Sequence, residues 1–272
     1  MGNRDYKAFV VEGKEREPEI IDNISKNFFK HHNFEIITLP AEQNIYMLWK
    51  KLKEDDFETD LIEVLRESHE KIKQQLEGFT RDEFSEIFLF FDYDAHQNNL
   101  SKWHENEKDA SNVIEQMLEN FNNETENGKL YISYPMAEAL RDYKAGTCGD
   151  GESCFISIDD LSNYKNLSAE RSVNHHIRDY AYEDWKDIIE MFVKRASCLF
   201  GKNEIFSFEE YREKVDPSMI HSLEQQEIGK KGIFIISAFP EFILDYFDNN
   251  TFNTFLKDTK KQLKKNTACK RE

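Results

Sequence analysis

A chain of 272 residues is long enough for one large domain or two modest ones with a packed core. Hydrophobic residues make up 39% and charged residues 33%, and 22 Phe and 11 Tyr supply core bulk, which excludes a disordered chain. The formal net charge of −17 argues against a stand-alone protein that grips nucleic acid over a broad basic face, although a metal-site nuclease remains compatible with it.

No apolar run approaches the ~20 residues of a membrane span. The first residues lack the apolar stretch and cleavage site of a signal peptide, so a cytoplasmic protein is expected. The four cysteines, Cys148, Cys154, Cys198 and Cys269, are expected to be free thiols. Cys148 and Cys154 flank five residues, longer than the two-to-four spacing of zinc knuckles, so they and His175–His176 read as a plain loop.

Residues 6–11 are a short run of β-formers, consistent with a buried strand. Glu12 to Lys14 form a turn, and Pro18 opens a helix whose apolar residues Ile20, Ile21, Ile24, Phe28 and Phe29 recur at helical spacing to about His31. A strand is expected over 33–38, then helices over 45–52 and 61–76. The most apolar strand, 86–92, suits the centre of a parallel sheet buried on both faces, and Asp92-Tyr93-Asp94-Ala95-His96 closes it. A polar loop over 97–106, a helix over 110–121, a strand over 130–133 broken by Tyr134-Pro135, and a helix over 136–143 follow.

This alternation predicts an α/β domain with a central parallel sheet flanked by helices, over residues 1–145, with a helical insertion at about 41–83. A glycine-rich loop over 146–151 separates it from a mainly helical C-terminal region, 146–272. There a strand over 154–158, helices over 185–200, 208–215 and 217–226, a strand over 232–237 and a helix over 239–255 are expected. The strand at 232–237 either rejoins the first sheet or edges a small second one. The basic stretch 257–271 reads as a solvated tail.

In parallel sheets ligands collect at the carboxyl ends of the strands. Glu12, Asp92 and the 134–138 segment all fall there. An Asp-x-Asp at a strand end directs two carboxylates to one face. A Glu on a neighbouring strand about 5 Å away can join them around one hard divalent ion. Singly, each acid has a plainer use: Asp92 and Asp94 as turn residues, Glu12 as a helix-start charge.

Val10-Val11-Glu12-Gly13-Lys14, followed by Phe91-Asp92-Tyr93-Asp94, resembles the TOPRIM domain shared by topoisomerases, bacterial primases, and OLD-family and RloB-like nucleases. The likeness is closer to the RloB-like group, with its Glu-Gly-x-x-x-Glu-Pro (here Glu12 to Pro18) and its Asp-x-Asp followed by a polar residue and His. That group's Asn-Pro-x-Phe-Glu is echoed by Tyr134-Pro135-Met136-Ala137-Glu138, without the Asn and the Phe. The resemblance covers roughly residues 6–143 and implies a TOPRIM (Rossmann-like) fold and a nuclease acting on DNA or RNA with one or two Mg²⁺ or Mn²⁺ ions. It implies Glu12 as acid/base or first metal contact, Asp92 and Asp94 as metal ligands, and Glu17 and Glu138 as ligands of a second ion.

His96 is a candidate proton relay or phosphate contact, and Lys14, Arg16 and Arg141 are candidate phosphate-binding groups. Nucleases of this kind resemble effectors of bacterial anti-phage defence that work beside an ABC or SMC-type ATPase. Since this chain has no phosphate loop, such a partner would bring the ATP; self-association is left open. Two other readings compete. One is a haloacid-dehalogenase-like phosphatase with Asp92 as nucleophile and Asp94 beside it, although His96 stands where Thr or Val is usual. The other is a non-catalytic TOPRIM-like module that binds a partner.

Overall fold

The computed structural model describes residues 5–54, 56–93, 110–143, 154–172 and 176–256. The chain forms two compact units, one from 1–92 with 97–131 and one from 93–96 with 132–272.

The first unit is built on a five-stranded sheet of order β2-β1-β3-β5-β4. Its strands are β1 (Asp5–Val11), β2 (Phe34–Pro40), β3 (Phe84–Asp92), β4 (Asn122–Asn123) and β5 (Gly128–Ser133). The central strand β1 pairs in parallel with β2 on one side and with β3 on the other. In this sheet the β4–β5 hairpin is antiparallel. The expected α/β architecture with a mostly parallel sheet is present and is compatible with a Rossmann-like fold. Parallel strands need apolar residues on both faces, and β1 and β3 have them: Ala8 to Val11 and Ile87 to Phe91 are all at most 2% exposed. Phe9 lies between Phe88 and Phe90, with ring centroids at 5.2 and 5.9 Å, and Phe90 stacks on Tyr131 at 5.6 Å. This aromatic layer fixes the register that brings the ends of β1 and β3 level.

Helices α1 (Arg16–Phe28), α2 (Ile45–Glu54), α3 (Leu61–Ser68), α4 (Glu70–Gln75) and α5 (Ala110–Asn120) complete the unit. The single helix expected over 61–76 is two, because His69 is extended (φ −148°, ψ 141°) and serves as the boundary of both. Asp60 caps α3 by accepting from the Glu63 N–H at 3.0 Å. The hairpin before β5 was not expected. Its turn is set locally: Asn123 Oδ1 accepts from the Thr125 N–H at 3.0 Å, and Gly128 takes φ +111°.

Gly128 also sits in a closely packed part of the sheet. A Cβ there would meet Leu89 Cδ1 at 2.6 Å and Ile87 Cγ2 at 3.2 Å, on side chains that are fully buried. Gly128→Ala is therefore expected to cost about 1–3 kcal/mol, from backbone strain together with overpacking. A urea-unfolding midpoint equal to that of the wild type would contradict this.

The second unit is mainly helical. It contains β6 (Phe155–Ser157), α6 (Tyr164–Arg171), α7 (Tyr182–Leu199), α8 (Phe208–Lys214), α9 (Pro217–Ile228), β7 (Gly232–Phe234), α10 (Ala238–Tyr246) and α11 (Asn249–Leu256). β7 pairs antiparallel with β6 in a separate two-stranded sheet, which settles the alternative left open for 232–237. Just beyond β7, Ile236 and Tyr134 exchange backbone hydrogen bonds of 2.7 and 3.0 Å.

The helix expected over 136–143 is only a 3₁₀ turn, Ala137–Leu140. The helix expected over 239–255 is broken at Phe247, which is extended (φ −96°, ψ 170°). Asp248 restarts it by accepting from the Thr251 N–H at 3.2 Å. Free thiols were expected throughout; Cys198 is free, but Cys154 is disulfide-bonded. Cys148, Cys269 and His175 lie outside the described residues. Among the described residues no helix is long and apolar enough to cross a membrane.

Two buried acidic side chains shape this unit. Asp142, 1% exposed, faces Arg195 Nη2 of α7 and Arg171 Nη1 of α6, each at 3.5 Å. Glu224 of α9 is fully buried; its Oε2 accepts from the Phe234 N–H at 3.1 Å, while Oε1 has no hydrogen-bond partner. Burial pushes its carboxyl well above the usual range, and nearby Glu227 adds to the effect. A carboxyl held protonated in the folded state but ionised when unfolded loses stability as pH rises from its unfolded value toward its folded one. Glu224→Gln is accordingly expected to raise stability at pH 8 by about 1.4 kcal/mol or more and to change it little below pH 4. Thermal unfolding of both proteins from pH 4 to 8 reads this directly, and parallel curves would contradict it.

Candidate metal centre

The site grows from the register of β1 and β3. Val11 pairs with Phe90, so Glu12, just past β1, comes level with Phe91, next to Asp92, the last residue of the adjacent parallel strand β3. Glu12 and Asp92 are in contact: the Asp92 N–H donates to Glu12 Oε2 at 3.3 Å. Both are partly exposed. The chain turns at Gly13 into α1, whose first turn carries Glu17 and Glu19. Acids there interact favourably with the positive end of the helix.

Glu17 folds back onto the turn. A Cβ built on Gly13 would lie 2.6 Å from Glu17 Oε2, so the missing side chain at residue 13 makes room for this carboxylate. Pro18 stands in the first helical turn, where its lacking N–H costs nothing. The Glu-Gly-x-x-x-Glu-Pro stretch thus has a physical use for each named residue: a strand-end acid, space, a second acid folded into that space, and a proline in the first turn of a helix that starts two residues earlier, at Arg16.

Asp94 and His96, which complete the expected constellation, lie outside the described residues. Among the described residues no three His, Cys, Asp or Glu side chains come close enough to hold a metal ion. The acidic groups present are Glu12, whose carboxylate accepts from the Asp92 backbone N–H, Asp92 itself, and Glu17 against the Gly13 turn. That chemistry fits magnesium or manganese, which bind through one or two carboxylates and keep several waters. It does not suit a soft-ligand metal.

Lys14 pairs with Glu42 at 3.4 Å and is 62% exposed, and Arg16 is half-buried at the start of α1. Glu138 and Arg141 belong to the second unit and have partners there. Glu138 is 8% exposed and faces Lys165 at 3.9 Å, so it is a buried acid rather than a solvated one. The Arg141 guanidinium donates to Ser168 Oγ at 2.9–3.0 Å and to the Lys165 carbonyl at 2.6 Å, tying the 3₁₀ turn to α6. A cavity of about 160 Å³ in the first unit, walled by Leu52, Leu61 and Phe121 with Arg81 and Asp60, shares no residue with the carboxylate pair.

Two residues that sequence reasoning had not assigned, His221 and Gln225, appear around Tyr93, together with Tyr134 of the 134–138 segment. Gln225 Nε2 donates to the Tyr93 hydroxyl at 3.2 Å, Tyr93 stacks on Tyr134, and Tyr134 is hydrogen-bonded to His221. Only the spacing of His221 and Gln225, one helical turn apart, hints at this in the sequence. No protein-family model, curated protein or solved structure matches this chain.

Proposed function

We propose that the chain is a TOPRIM-type nuclease that hydrolyses phosphodiester bonds of DNA or RNA with one or two Mg²⁺ or Mn²⁺ ions. What carries the reading is the contact between Glu12 and Asp92 at the ends of two adjacent parallel strands. A bound divalent ion supplies charge compensation on the phosphate and a more acidic water. The chain's own residues would do the rest. Glu12, Asp92 and Asp94 are the proposed holders of the ion, with Glu17 beside the Glu12 turn. The Asp92 N–H keeps the Glu12 carboxylate turned across the strand ends. Lys14 and Arg16, at the start of α1, are the nearest candidates to meet a phosphate.

A role in bacterial anti-phage defence, with an ATPase partner supplying activation, belongs to the same proposal. The acidic surface supports it by disfavouring unaided contact with nucleic acid.

The test is a substrate panel with Mg²⁺ or Mn²⁺: plasmid DNA, total RNA and p-nitrophenyl phosphate. Metal-dependent cutting of a nucleic acid without turnover of the monoester is expected. Monoester turnover alone would favour the phosphatase, with Asp92 as nucleophile. A well-folded protein inactive on every substrate, alone and with its native ATPase partner, would favour the non-catalytic module.

A further inference from the structure

The cavity of about 160 Å³ in the first unit combines an apolar interior with an acidic rim. Leu52, Leu61 and Phe121 line it and are 3%, 5% and 2% exposed, and Phe57 forms a further wall with 44% exposure. The volume is close to that of apolar cavities that take up a benzene ring. Arg81, just before β3, and Glu126, in the turn before β5, place the cavity at the amino end of these strands. Glu12 and Asp92 stand at the opposite end. The nine residues of β3 lie between, about 25–30 Å of chain.

The Phe57 wall is held by backbone. At the end of α2 the Phe57 N–H donates to the Leu52 carbonyl at 2.9 Å and the Asp56 N–H to the Lys53 carbonyl at 3.2 Å. This is a helix-closing pattern that needs one left-handed residue, ordinarily glycine. Here Asp56 and Phe57 both take that conformation (φ 54° and 61°), which is uncommon for a bulky side chain. The Phe57 ring packs on Trp49, centroids 5.1 Å apart, so it is backed by the core while still facing the cavity.

Charge decides what such a cavity accepts. Glu58, Asp60 and Glu126 line it and are all exposed, against the single cation Arg81. The Arg81 guanidinium is committed to backbone: Nε donates to the Glu126 carbonyl at 3.0 Å, Nη1 to that of Phe84 at 2.6 Å and Nη2 to that of Thr125 at 2.8 Å. The positive end of α3 is already met by its cap, Asp60. An anion would therefore meet donors that are engaged, while a cation would meet carboxylates.

We propose that this cavity binds a small organic cation, an amidinium, guanidinium or ammonium group carried on an apolar ring or stem. The apolar part sits among Leu52, Phe57, Leu61 and Phe121, and the charged end meets Glu58 and Glu126. The aromatic face of Phe57 adds attraction for the cation. The site is separate from the metal centre and does not depend on that reading.

Titration with benzamidinium chloride, followed through the methyl resonances of Leu52 and Leu61, tests the proposal. Benzamide, neutral and of similar shape, and benzoate, an anion, are the comparisons. Benzamidinium is expected to shift both sets of methyls and to bind about tenfold more tightly than benzamide, since each exposed carboxylate contributes up to about fivefold. Replacing Glu58→Gln and Glu126→Gln together should bring the two affinities level. Phe57→Ala should weaken benzamidinium about threefold or more. All three side chains are exposed, so circular dichroism should show the fold unchanged. Glu12→Gln, at the opposite end of the strands, should leave benzamidinium affinity as it is. Benzamide or benzoate binding as tightly as benzamidinium would overturn the proposal, as would unshifted Leu52 and Leu61 methyls. A charge preference that survives the double replacement, wild-type affinity in Phe57→Ala, or lost binding in Glu12→Gln, which would put the cation at the metal centre, would overturn it too.

Discussion

Glu12→Ala is expected to lower metal-dependent cleavage by about a thousandfold or more, and Asp92→Ala by a comparable factor. A carboxylate that holds the ion contributes several kcal/mol of charge stabilisation in the transition state, and each 1.36 kcal/mol is a factor of ten in rate. Glu12→Gln separates the chemical role from a structural one. The amide oxygen of Gln keeps the acceptor for the Asp92 N–H, which Glu12 Oε2 now provides at 3.3 Å, but lacks the charge. If Glu12 only tidied the strand ends, Glu12→Gln would retain activity. The metal reading predicts that it behaves like Glu12→Ala. Initial rates at saturating Mg²⁺, with circular dichroism to confirm folding, are the measurement.

The second large effect is on stability. Asp142→Ala is expected to cost about 3–5 kcal/mol, because it leaves a buried guanidinium without its carboxylate. Arg195 is 3% exposed, and burial pulls its pKa below the usual guanidinium range while Asp142 pulls it back up. Tyr164 belongs to the same cluster: burial, followed by the charge of Asp142, raises its hydroxyl pKa far above the ordinary value. Pairing a buried cation with a buried acid is weak evidence of net stabilisation, but removing one member alone is costly. The double replacement Asp142→Leu with Arg195→Met should therefore recover much of the loss. Urea unfolding of the two variants reads both effects; a double variant no better than Asp142→Ala would contradict this account of the cluster.

How much of this was legible in the sequence follows from how local each signal is. The buried strands β1 and β3 announce themselves as continuous apolar runs, because a parallel strand is covered on both faces. Their acidic ends, Glu12 and Asp92, could be named for the same reason. Helix breaks at His69 and Phe247 were not legible, since both lie in patterns whose spacing suits a helix; tertiary packing overrides local preference there. The β4–β5 turn was written in Asn123 and Gly128, but its flanking strand is only two residues long.

α6 escaped because its apolar residues do not recur at helical spacing. Gln225 and Tyr93, 132 positions apart, have no local signature at all. Arg141 shows the opposite case. Its charge suggested phosphate, yet Ser168 and the Lys165 carbonyl engage it, and nothing near residue 141 in the sequence reveals that. Glu138 likewise looked like an exposed helix acid, whereas the 3₁₀ turn that replaces the helix buries it.

The central claim is that Glu12 and Asp92 form a divalent-metal site for phosphodiester hydrolysis. The most direct measurement is cleavage of supercoiled plasmid and total RNA by the wild type with Mg²⁺, with EDTA, and by Glu12→Gln with Mg²⁺, each alone and with the proposed ATPase partner added. The account predicts cutting of one substrate in the first case and in neither of the others. Cutting that persists in EDTA or in folded Glu12→Gln would contradict it.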